Sequence, residues 1–406
     1  MASTEPVATP LAGLPRRRYE PEAQGPLAGV RVLDLTRLVS GAQFGLILGD
    51  LGADVIKVER PGVGDPFRRT TLEGYDAYWQ AYGRNKRSIT LDLACERGRE
   101  LLLRLAETAD MLAENFTPGV LERLCGGPDA LLERNPSLVV VRISGWGQTG
   151  PRSAQPGFGT LAEAYSGFTF LNGPADGPPV QAPLSLADTV AGTYAASAAL
   201  AALWSVRANG SPGQVVDVSL YEPLFSILGA DATAYAGRGH LRRRGDGAGV
   251  SSVRGVFQTS DDHWVAISAA TDETAARFFA AIGRGALLED PRFATSESRL
   301  AHRDELQEAL APEFRRFTRE EILALAREHR LTIGPVLDVA GTLADEHYRA
   351  RETIVELEDG VVLQNVVPRL SGTPGAIRLP APTLGEHNAV VYGELGIGPD
   401  ELAQLV

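Results

Sequence analysis

Two short apolar runs, GVRVLDLT (29–36) and ADVIKVER (53–60), flank a helical segment at 41–51 and decide the fold. Both runs are short and partly β-branched, which is typical of buried strands. A strand, a helix and a second strand in this order predict parallel strands joined by a crossover helix. The same alternation continues with a helix at 96–109, a strand at 111–115, a helix at 120–134 and a strand at 138–144. We therefore predict a doubly wound, Rossmann-like α/β sheet.

The remaining sequence predicts a second, smaller domain. The segment 144–160 is dense in Gly and Pro and is expected to be a loop. Further elements are predicted as helices at 161–168 and 186–204, a strand at 213–220, a hairpin at 253–269, and helices at 271–283 and 300–330. We predict four segments: a loosely held arm at 1–26, a large domain at 27–224, a small α+β domain at 225–330, and a C-terminal return to the large domain at 331–406.

Composition excludes several classes of function. The chain has 406 residues, with 51 acidic side chains against 39 Lys plus Arg and a formal charge of −12. This charge argues against a nucleic-acid partner held mainly through phosphates. The sequence contains no run of about 18 apolar residues, so we expect no membrane-spanning helix. The two cysteines, Cys95 and Cys125, lack the spacing of a metal site and cannot form a disulfide framework, which favours a reducing, cytoplasmic location.

Basic residues cluster around glycine-rich turns in KVERPGVGDPFRR (57–69) and NKRSITLDL (85–93). Arg can donate two parallel hydrogen bonds to phosphate oxygens, so these residues indicate either a local polyanion site or a solvated charged face. The basic residues are Lys57, Arg60, Arg68, Arg69, Lys86 and Arg87. The segment TRLVSGAQFG (36–45) could present the amides of a helix N-terminus to an anion. It contains no G-x-G-x-x-G, so an ordinary strand-to-helix turn is the alternative.

Two carboxylates are candidates for chemistry. Asp188, in ADTVAG (187–192), precedes an Ala-rich helix and is either its N-cap or a desolvated carboxylate nucleophile. Glu163 follows the Gly-rich loop, with an exposed helix face as the alternative interpretation. The six histidines are scattered in polar sequence and favour surface roles.

Taken together, these segments resemble the family III CoA-transferases, a group that includes formyl-CoA transferase and, as a relative, α-methylacyl-CoA racemase. The similarity covers nearly the whole chain after residue 26. Its longest stretches are PLAGVRVLDLTRLVSG (26–41), LGADVIKVERPGVGDPFR (51–68), NPSLVVVRISGWGQTGP (135–151) and GSPGQVVDVSLYE (210–222). The resemblance implies a Rossmann-like large domain with a small domain, and an interlocked homodimer.

The resemblance also implies a set of site residues. The catalytic aspartate of the family falls on Asp188, which would form an aspartyl-acyl anhydride and then an aspartyl-CoA thioester. No resident cofactor or metal is implied, because coenzyme A and acyl-CoA are substrates and a small carboxylic acid is the acceptor. The positions that contact CoA fall on Leu38, Val39, Ser40, Arg60, Leu93, Asn115, Phe116 and Arg123. Of these, the two arginines would meet phosphates.

This sequence departs from the family pattern near the nucleophile. The racemase branch has a His where this chain has Phe158, and racemisation needs two acid–base groups on opposite faces of the α-carbon. We therefore place a racemase or isomerase second to a CoA-transferase. A silent subunit of a hetero-oligomeric transferase is the third possibility. Gly159 replaces an acidic residue that many transferases carry, and Val39 replaces a polar residue of formyl-CoA transferase. Arg37 and Glu163 are candidates to contact an acceptor carboxylate.

Overall fold

The computed structural model describes residues 11–242, 244, 245, 252–398 and 401, and the chain divides into two compact units. The first unit contains Ala12–Gly245 and the C-terminal return from His347. Of the described residues, the second unit contains Leu11 and 252–346. The helices Tyr221–Ser226 and Asp231–Arg238 therefore belong to the first unit, whereas the sequence analysis placed residues 225–330 in a small domain.

The described secondary structure alternates strands and helices through the first unit. The strands, in chain order, are β1 (Arg16–Arg17), β2 (Arg31–Asp34), β3 (Asp54–Glu59), β4 (Lys86–Thr90), β5 (Met111–Glu114), β6 (Val139–Ser144), β7 (Gln214–Ser219), β8 (Arg254–Gln258), β9 (Trp264–Ser268), β10 (Ile333–Pro335), β11 (Ile354–Leu357) and β12 (Val362–Gln364). The helices are α1 (Leu38–Asp50), α2 (Ala77–Gly83), α3 (Glu96–Glu107), α4 (Val120–Cys125), α5 (Gly127–Arg134), α6 (Gly159–Tyr165), α7 (Phe168–Leu171), α8 (Leu186–Asn209), α9 (Tyr221–Ser226), α10 (Asp231–Arg238), α11 (Asp272–Ala281), α12 (Ser296–Ala301), α13 (Arg303–Phe314), α14 (Arg319–His329), α15 (Val339–Ala344), α16 (Glu346–Ala350) and α17 (Asn388–Glu394). Two short 3₁₀ helices cover Pro66–Arg69 and Gly285–Leu288.

The first unit is built on a six-stranded sheet with the order β4-β3-β2-β5-β6-β7. All five neighbouring pairs are parallel. Counted within this sheet, the strand order is 3-2-1-4-5-6, which is the order of a doubly wound Rossmann-like sheet. The predicted fold class is therefore confirmed. The order reverses between β2 and β5, and in such sheets ligands bind outside the carboxyl ends of the strands at the point of reversal.

Both faces of the sheet are covered by helices. Successive strand residues point to opposite faces, so Val32 packs in one core with Phe44 of α1 and Ala191 of α8. Leu33 packs in the other core, which includes residues of α3, α4, α5 and α17. Both faces of the sheet are therefore buried, and the carboxyl ends of the strands form a polar edge.

The second unit contains an antiparallel sheet with the order β10-β9-β8. Its β8–β9 pair is the hairpin expected at 253–269. Phe257 on this hairpin stacks on Phe314 of α13, with ring centroids 4.3 Å apart. Helices α11, α13 and α14 contribute to the same core.

Several local predictions were wrong. The helix expected at 120–134 is two helices, because Gly126 adopts a left-handed conformation with φ of 85° between them. The helix expected at 300–330 is also divided, and Thr318 begins α14 with a capping box. Residues 11–26 are not a loose arm, because β1 pairs in parallel with β11. Residues 1–10 of that arm lie outside the described residues.

Helix α8 is long and apolar enough, by length and composition alone, to cross a membrane. In the structure, however, one face of this helix is a row of small residues that packs against the sheet. The buried members of this face include Ala187, Ala191, Ala195 and Ala199. The other face of the helix carries larger side chains, such as the exposed Trp204. The pattern is that of a core helix whose outer face is uncovered in the isolated chain.

Candidate active site

The point of strand reversal brings the segments after β2 and β5 together. The backbone N–H of Arg37 donates to Oδ1 of Asn115 at 2.8 Å, and Nδ2 of Asn115 donates to the carbonyl oxygen of Arg37 at 2.6 Å. The same Nδ2 lies 3.4 Å from Oγ of Ser40. Two of the sequence-predicted positions, Ser40 and Asn115, are thus joined across the crevice where a doubly wound fold binds ligands.

The turn that starts α1 has a fixed and unusual conformation. Leu38 has a φ of 61°, and its N–H donates to Oδ1 of Asp65 at 3.2 Å. Gly41 packs so closely on Thr36 that a Cβ at position 41 would lie 1.8 Å from the threonine Oγ1. Leu38 is 37% exposed, Val39 is half-buried and Ser40 is buried. The glycine in this turn therefore serves close packing, and the exposed surface of the turn is that of Leu38.

A cluster of buried charges supports this turn from below. Nζ of Lys57 lies 3.1 Å from Asp65 and 3.4 Å from Asp34, and it also donates to the carbonyl oxygen of Thr36. Nζ of Lys86 lies 3.4 Å from the other oxygen of Asp34. We call Asp34, Lys57, Asp65 and Lys86 the buried charge cluster, since each is at most 3% exposed. It connects the ends of β2 and β3 to the residue that holds the Leu38 amide.

The pKa values of the groups in the cluster depend on one another. Burial opposes ionisation of Asp34, but the ammonium groups of Lys57 and Lys86 outweigh it and lower the pKa of Asp34. Burial likewise opposes the charge on Lys57, and the carboxylates of Asp34, Asp65 and Glu59 outweigh it, so that the pKa of Lys57 is raised. Lys86, facing fewer carboxylates, has a lowered pKa because burial dominates.

This cluster corrects part of the predicted polyanion site. Lys57 and Lys86 are buried and paired, so they cannot reach a phosphate. Arg68 makes two hydrogen bonds of 2.7 Å to the carboxylate of Glu59. Arg87 is paired with Asp54 and Glu394. Of the six predicted basic residues, only Arg60 and Arg69 are exposed, and neither forms an ion pair within the described residues.

A cavity of about 640 Å³ opens beside the exposed Arg60. It is lined by segments that follow β2, β3 and β4, and its walls include Leu93 and Phe116. The guanidinium of Arg37 lies 5.6 Å from the centroid of the Phe116 ring, so it stacks a cation on one wall. The structure therefore brings Arg60, Leu93 and Phe116 to one cavity that mixes apolar walls with free positive charge.

Of the eight predicted CoA-contacting positions, three line this cavity, namely Arg60, Leu93 and Phe116. The other five do not: Leu38, Val39, Ser40, Asn115 and Arg123. Arg123 is exposed on α4, whereas its neighbour Leu124 lines the cavity. Sequence reasoning treated Arg37 only as a contact for an acceptor, and it missed Asp65 entirely. The sequence Gly-Asp-Pro at 64–66 was a possible signal for Asp65, because Asp before Pro at the start of a turn commonly accepts backbone hydrogen bonds.

Asp188 lies in the first turn of α8, as the third helical residue. The N-cap is Ser185, whose side chain makes no capping hydrogen bond. The interpretation of Asp188 as the N-cap is therefore wrong. The carboxylate of Asp188 packs directly on α6, where a Cβ at Gly159 would lie 2.1 Å from its Oδ2. With Asp188 in this orientation, a side chain at position 159 would have to displace the carboxylate, so glycine at this position leaves room for the Asp188 side chain.

Glu163 is buried one helical turn beyond Gly159, so the exposed-face interpretation of this residue is also wrong. Only 3% of it is exposed. Its Oε1 accepts hydrogen bonds from the backbone N–H groups of Leu186 at 3.1 Å and Ala187 at 3.3 Å. Glu163 thus caps the helix that carries Asp188, although 23 residues separate it from the nearer of the two amides in the chain.

The environment of Asp188 favours a basic carboxylate. Burial, as the larger cause, and the carboxylate of Glu163 together raise the pKa of Asp188 to about 6. No Lys, Arg or His of the described chain forms an ion pair with Asp188. At neutral pH the group is therefore largely ionised and more basic than an ordinary aspartate, which suits a nucleophile.

Helices α1 and α8 cross closely near both groups of residues. Gly192, one turn after Asp188, lies against the carbonyl oxygen of Ser40, and a Cβ there would lie 2.3 Å from that oxygen. Asp188 does not line the 640 Å³ cavity. The crossing nevertheless links the turn Leu38–Ser40 directly to the helix of Asp188. The cavity, the turn and the carboxylate are successive parts of one edge of the first unit.

Comparisons with known proteins agree with this arrangement. A family model described as CoA-transferase family III matches residues 27–388. A succinyl-CoA–D-citramalate CoA-transferase of Chloroflexus aurantiacus is 38% identical over 389 residues, which are 94% of this chain and 96% of that protein. The alpha subunit of a succinyl-CoA–L-malate CoA-transferase of the same organism is 36% identical over an alignment of 414 positions, which covers 99% of this chain and 95% of that subunit.

The fold comparison gives the same result. The crystal structure of a CaiB/BaiF family protein from Brucella suis superimposes with a TM-score of 0.81 at 32% identity, and the match covers 92% of this chain and all of that one. Since the family model and the full-length relatives span both the strand-reversal crevice and the helix of Asp188, the chain belongs to family III of the CoA-transferases.

Proposed function

We propose that this enzyme moves CoA from an acyl-CoA donor to a carboxylic acid, with Asp188 as the covalent nucleophile. The observation that carries the proposal is the half-buried Asp188 carboxylate, which is more basic than usual and has no cationic partner among the described residues. Such a group is ionised at neutral pH and needs no general base. An isolated carboxylate of this kind can attack a thioester carbonyl directly.

The reaction proceeds in four balanced steps. Asp188 attacks the donor carbonyl and expels the CoA thiolate, which leaves a mixed anhydride. The thiolate then attacks the aspartyl carbonyl of the anhydride, which releases the donor acid as its carboxylate and leaves an aspartyl-CoA thioester. The acceptor carboxylate attacks that thioester and forms a second anhydride with release of thiolate. The thiolate finally attacks the acceptor carbonyl, so the product thioester leaves and Asp188 is regenerated. No oxidant, reductant or net proton is needed.

The names of the relatives favour succinyl-CoA as donor and a small dicarboxylic acid as acceptor. The two relatives described above are named for transfer from succinyl-CoA to D-citramalate or L-malate. Incubation with succinyl-CoA and isotopically labelled D-citramalate, L-malate or a monocarboxylic control should give a labelled CoA thioester for a dicarboxylate only. Transfer to none of the acids would contradict the proposed function.

We propose that the 640 Å³ cavity receives part of the CoA molecule and that Arg60 meets a phosphate. Arg60 is exposed, lines the cavity and has no ion-pair partner within the described residues. Replacing Arg60 by Gln should raise KM for the acyl-CoA about 10-fold or more with little change in kcat, because a phosphate contact binds ground state and transition state alike. Steady-state kinetics with Arg69→Gln as the matched control checks this. An unchanged KM would exclude Arg60 from the CoA site.

A racemase is the less favoured alternative. The side chain at the position of the racemase His is Phe158, which cannot transfer a proton and is 67% exposed. Incorporation of deuterium from D₂O at the α-carbon of a 2-methylacyl-CoA, without transfer to any acid, would support the racemase instead.

We propose that the functional form is a homodimer, in which the chains are interlocked. In the first unit, α6, α8 and α9 leave large apolar side chains on the surface, and those with at least 40% exposure include Leu161, Tyr165, Tyr194, Trp204 and Phe225. A surface this apolar is typical of an obligate interface. Light scattering on the purified protein should give the mass of two chains. A monomer, or a requirement for a different second chain, would contradict the homodimer.

A further inference from the structure

We infer that Glu163 is a positioning residue for Asp188: its carboxylate occupies the backbone amides of Leu186 and Ala187 at the start of α8 and places a second negative charge beside the nucleophile. The inference rests on the proposed function, in which Asp188 is the nucleophile. It assigns to Glu163 a role different from the acceptor contact considered in the sequence analysis.

The geometry supports this role in two ways. Gly159 and Glu163 are four residues apart, so they lie on the same face of α6. Gly159 touches the Asp188 carboxylate, and Glu163 binds the amides of Leu186 and Ala187 just before it. One face of a single short helix therefore contacts both the nucleophile and the N-terminus of the helix that carries it.

A carboxylate in the first turn of a helix ordinarily gains from the free amides and the helix dipole, which lower its pKa and its nucleophilicity. In this structure the Glu163 side chain already accepts from two of those amides. It also places a second negative charge near Asp188, whose pKa is raised rather than lowered. Burial is the larger cause of this raised pKa and the charge of Glu163 the second, and together they outweigh the usual effect of a helix N-terminus on the nucleophile.

Other charged groups on the elements packed against α8 are committed elsewhere. Asp50 of α1 is paired with Arg84, and Arg142 of β6 with Glu114. On β7, Asp217 accepts from the amide of Gln148. Glu222 of α9 accepts from the hydroxyl of Ser219. Glu163 is the charged side chain that acts on Asp188.

The arrangement favours covalent loading of Asp188. While Asp188 is a free carboxylate, two negative charges face each other across α6 and α8. The anhydride and the thioester of Asp188 carry no charge on that side chain, so repulsion by Glu163 disappears when either forms. Glu163 therefore destabilises the resting enzyme relative to its acylated forms.

The test is the conservative variant Glu163→Gln. Its amide oxygen can still accept from the two backbone N–H groups, so the cap persists while the charge is lost. Since a like charge disfavours ionisation, the pKa of Asp188 should fall. We expect the midpoint of the acid limb of the pH–kcat profile to move to lower pH by about half a unit or more. It should stay above the pKa of a free aspartate because the carboxylate is still buried. We also expect kcat at pH 8 to drop several-fold with KM for acyl-CoA unchanged.

A readout independent of activity separates this inference from the proposed function. For the parent enzyme and for Glu163→Gln, the free energy of unfolding is measured over a range of pH with and without the Asp188→Asn substitution. The difference between the two free energies reports the titration of Asp188 directly. Glu163→Gln should shift the midpoint of that difference to lower pH. A shift of this midpoint without any change in kcat would show the charge coupling but overturn the catalytic effect of Glu163, whereas transfer that persists in Asp188→Asn would overturn Asp188 as nucleophile.

Glu321→Gln is the matched control. Glu321 caps α14 in the second unit by accepting from the N–H of Thr318 at 2.8 Å, so this variant also removes a charge from a capping carboxylate. It should change neither the pH profile nor the midpoint. If Glu163→Gln behaves like Glu321→Gln, Glu163 is only a structural cap and the inference is wrong.

Discussion

Replacement of Asp188 by Asn is expected to reduce CoA transfer by about 10⁴-fold or more, because the anionic oxygen that attacks the donor thioester is lost and the later steps need the intermediate that this attack forms. Formation of labelled thioester from succinyl-CoA and a labelled acid measures this loss. Treatment of the parent enzyme with hydroxylamine during turnover should convert Asp188 to a hydroxamate, which mass spectrometry of the peptide detects. Turnover that persists in the variant, or a hydroxamate on another residue, would contradict the covalent role of Asp188.

The same variant should be more stable than the parent, which distinguishes lost chemistry from lost folding. The pKa of Asp188 is raised from 3.8 to about 6 in the folded state, so ionising this group costs stability. The cost is absent below pH 4, grows as the pH rises to about 6, and is complete above that. We expect Asp188→Asn to gain about 1–3 kcal/mol at pH 8 and to gain little at pH 4. Chemical denaturation at the two pH values measures the difference.

Replacement of Lys57 by Met is expected to lower the free energy of unfolding by about 3–5 kcal/mol. The variant leaves Asp34 and Asp65 buried without the ammonium group that lies between them, and Lys86 alone cannot neutralise both. The turn at Leu38 should loosen as well, since Asp65 holds its amide. Urea denaturation at pH 7 measures the loss, and KM for acyl-CoA should rise in parallel.

Arg134→Gln provides the control for this variant. Arg134 forms ion pairs with Glu100 and Glu107 on the surface, where solvent screens them, so its loss should change stability little. The loss in Lys57→Met should shrink as the pH falls, because protonation of Asp34 removes the unpaired charge. A Lys57→Met protein as stable as the parent at pH 7 would show that the buried charge cluster does not hold the end of the sheet together.

Local pattern was enough to predict the sheet. The runs at 29–36 and 53–60 became β2 and β3, since short β-branched segments between turns have few alternatives in an α/β chain. Helix ends were less predictable because they depend on single residues. Gly126, with its left-handed conformation, divides a segment whose apolar spacing is continuous.

The site was predicted unevenly, for a physical reason. Asn115 and Ser40 meet because two strands end side by side, which the strand order implies. The capping by Glu163 and the burial of Lys57 depend on contacts between distant segments, and no local periodicity encodes them. From the sequence alone, a buried lysine in an apolar strand cannot be distinguished from an exposed lysine at the edge of the sheet. The difference lies in the partner carboxylates, which come from distant segments.

The buried charge cluster has a consequence for handling reactive thioesters. Lys57 and Lys86 are the only two lysines of the chain, and both are almost completely buried. Activated acyl groups modify unprotonated, accessible amines, and neither of these two amines is accessible. The carboxylates around Lys57 also keep that side chain protonated. The folded protein therefore offers no side-chain amine to its own substrates, and an amine-reactive reagent would label these positions only when the sheet edge opens.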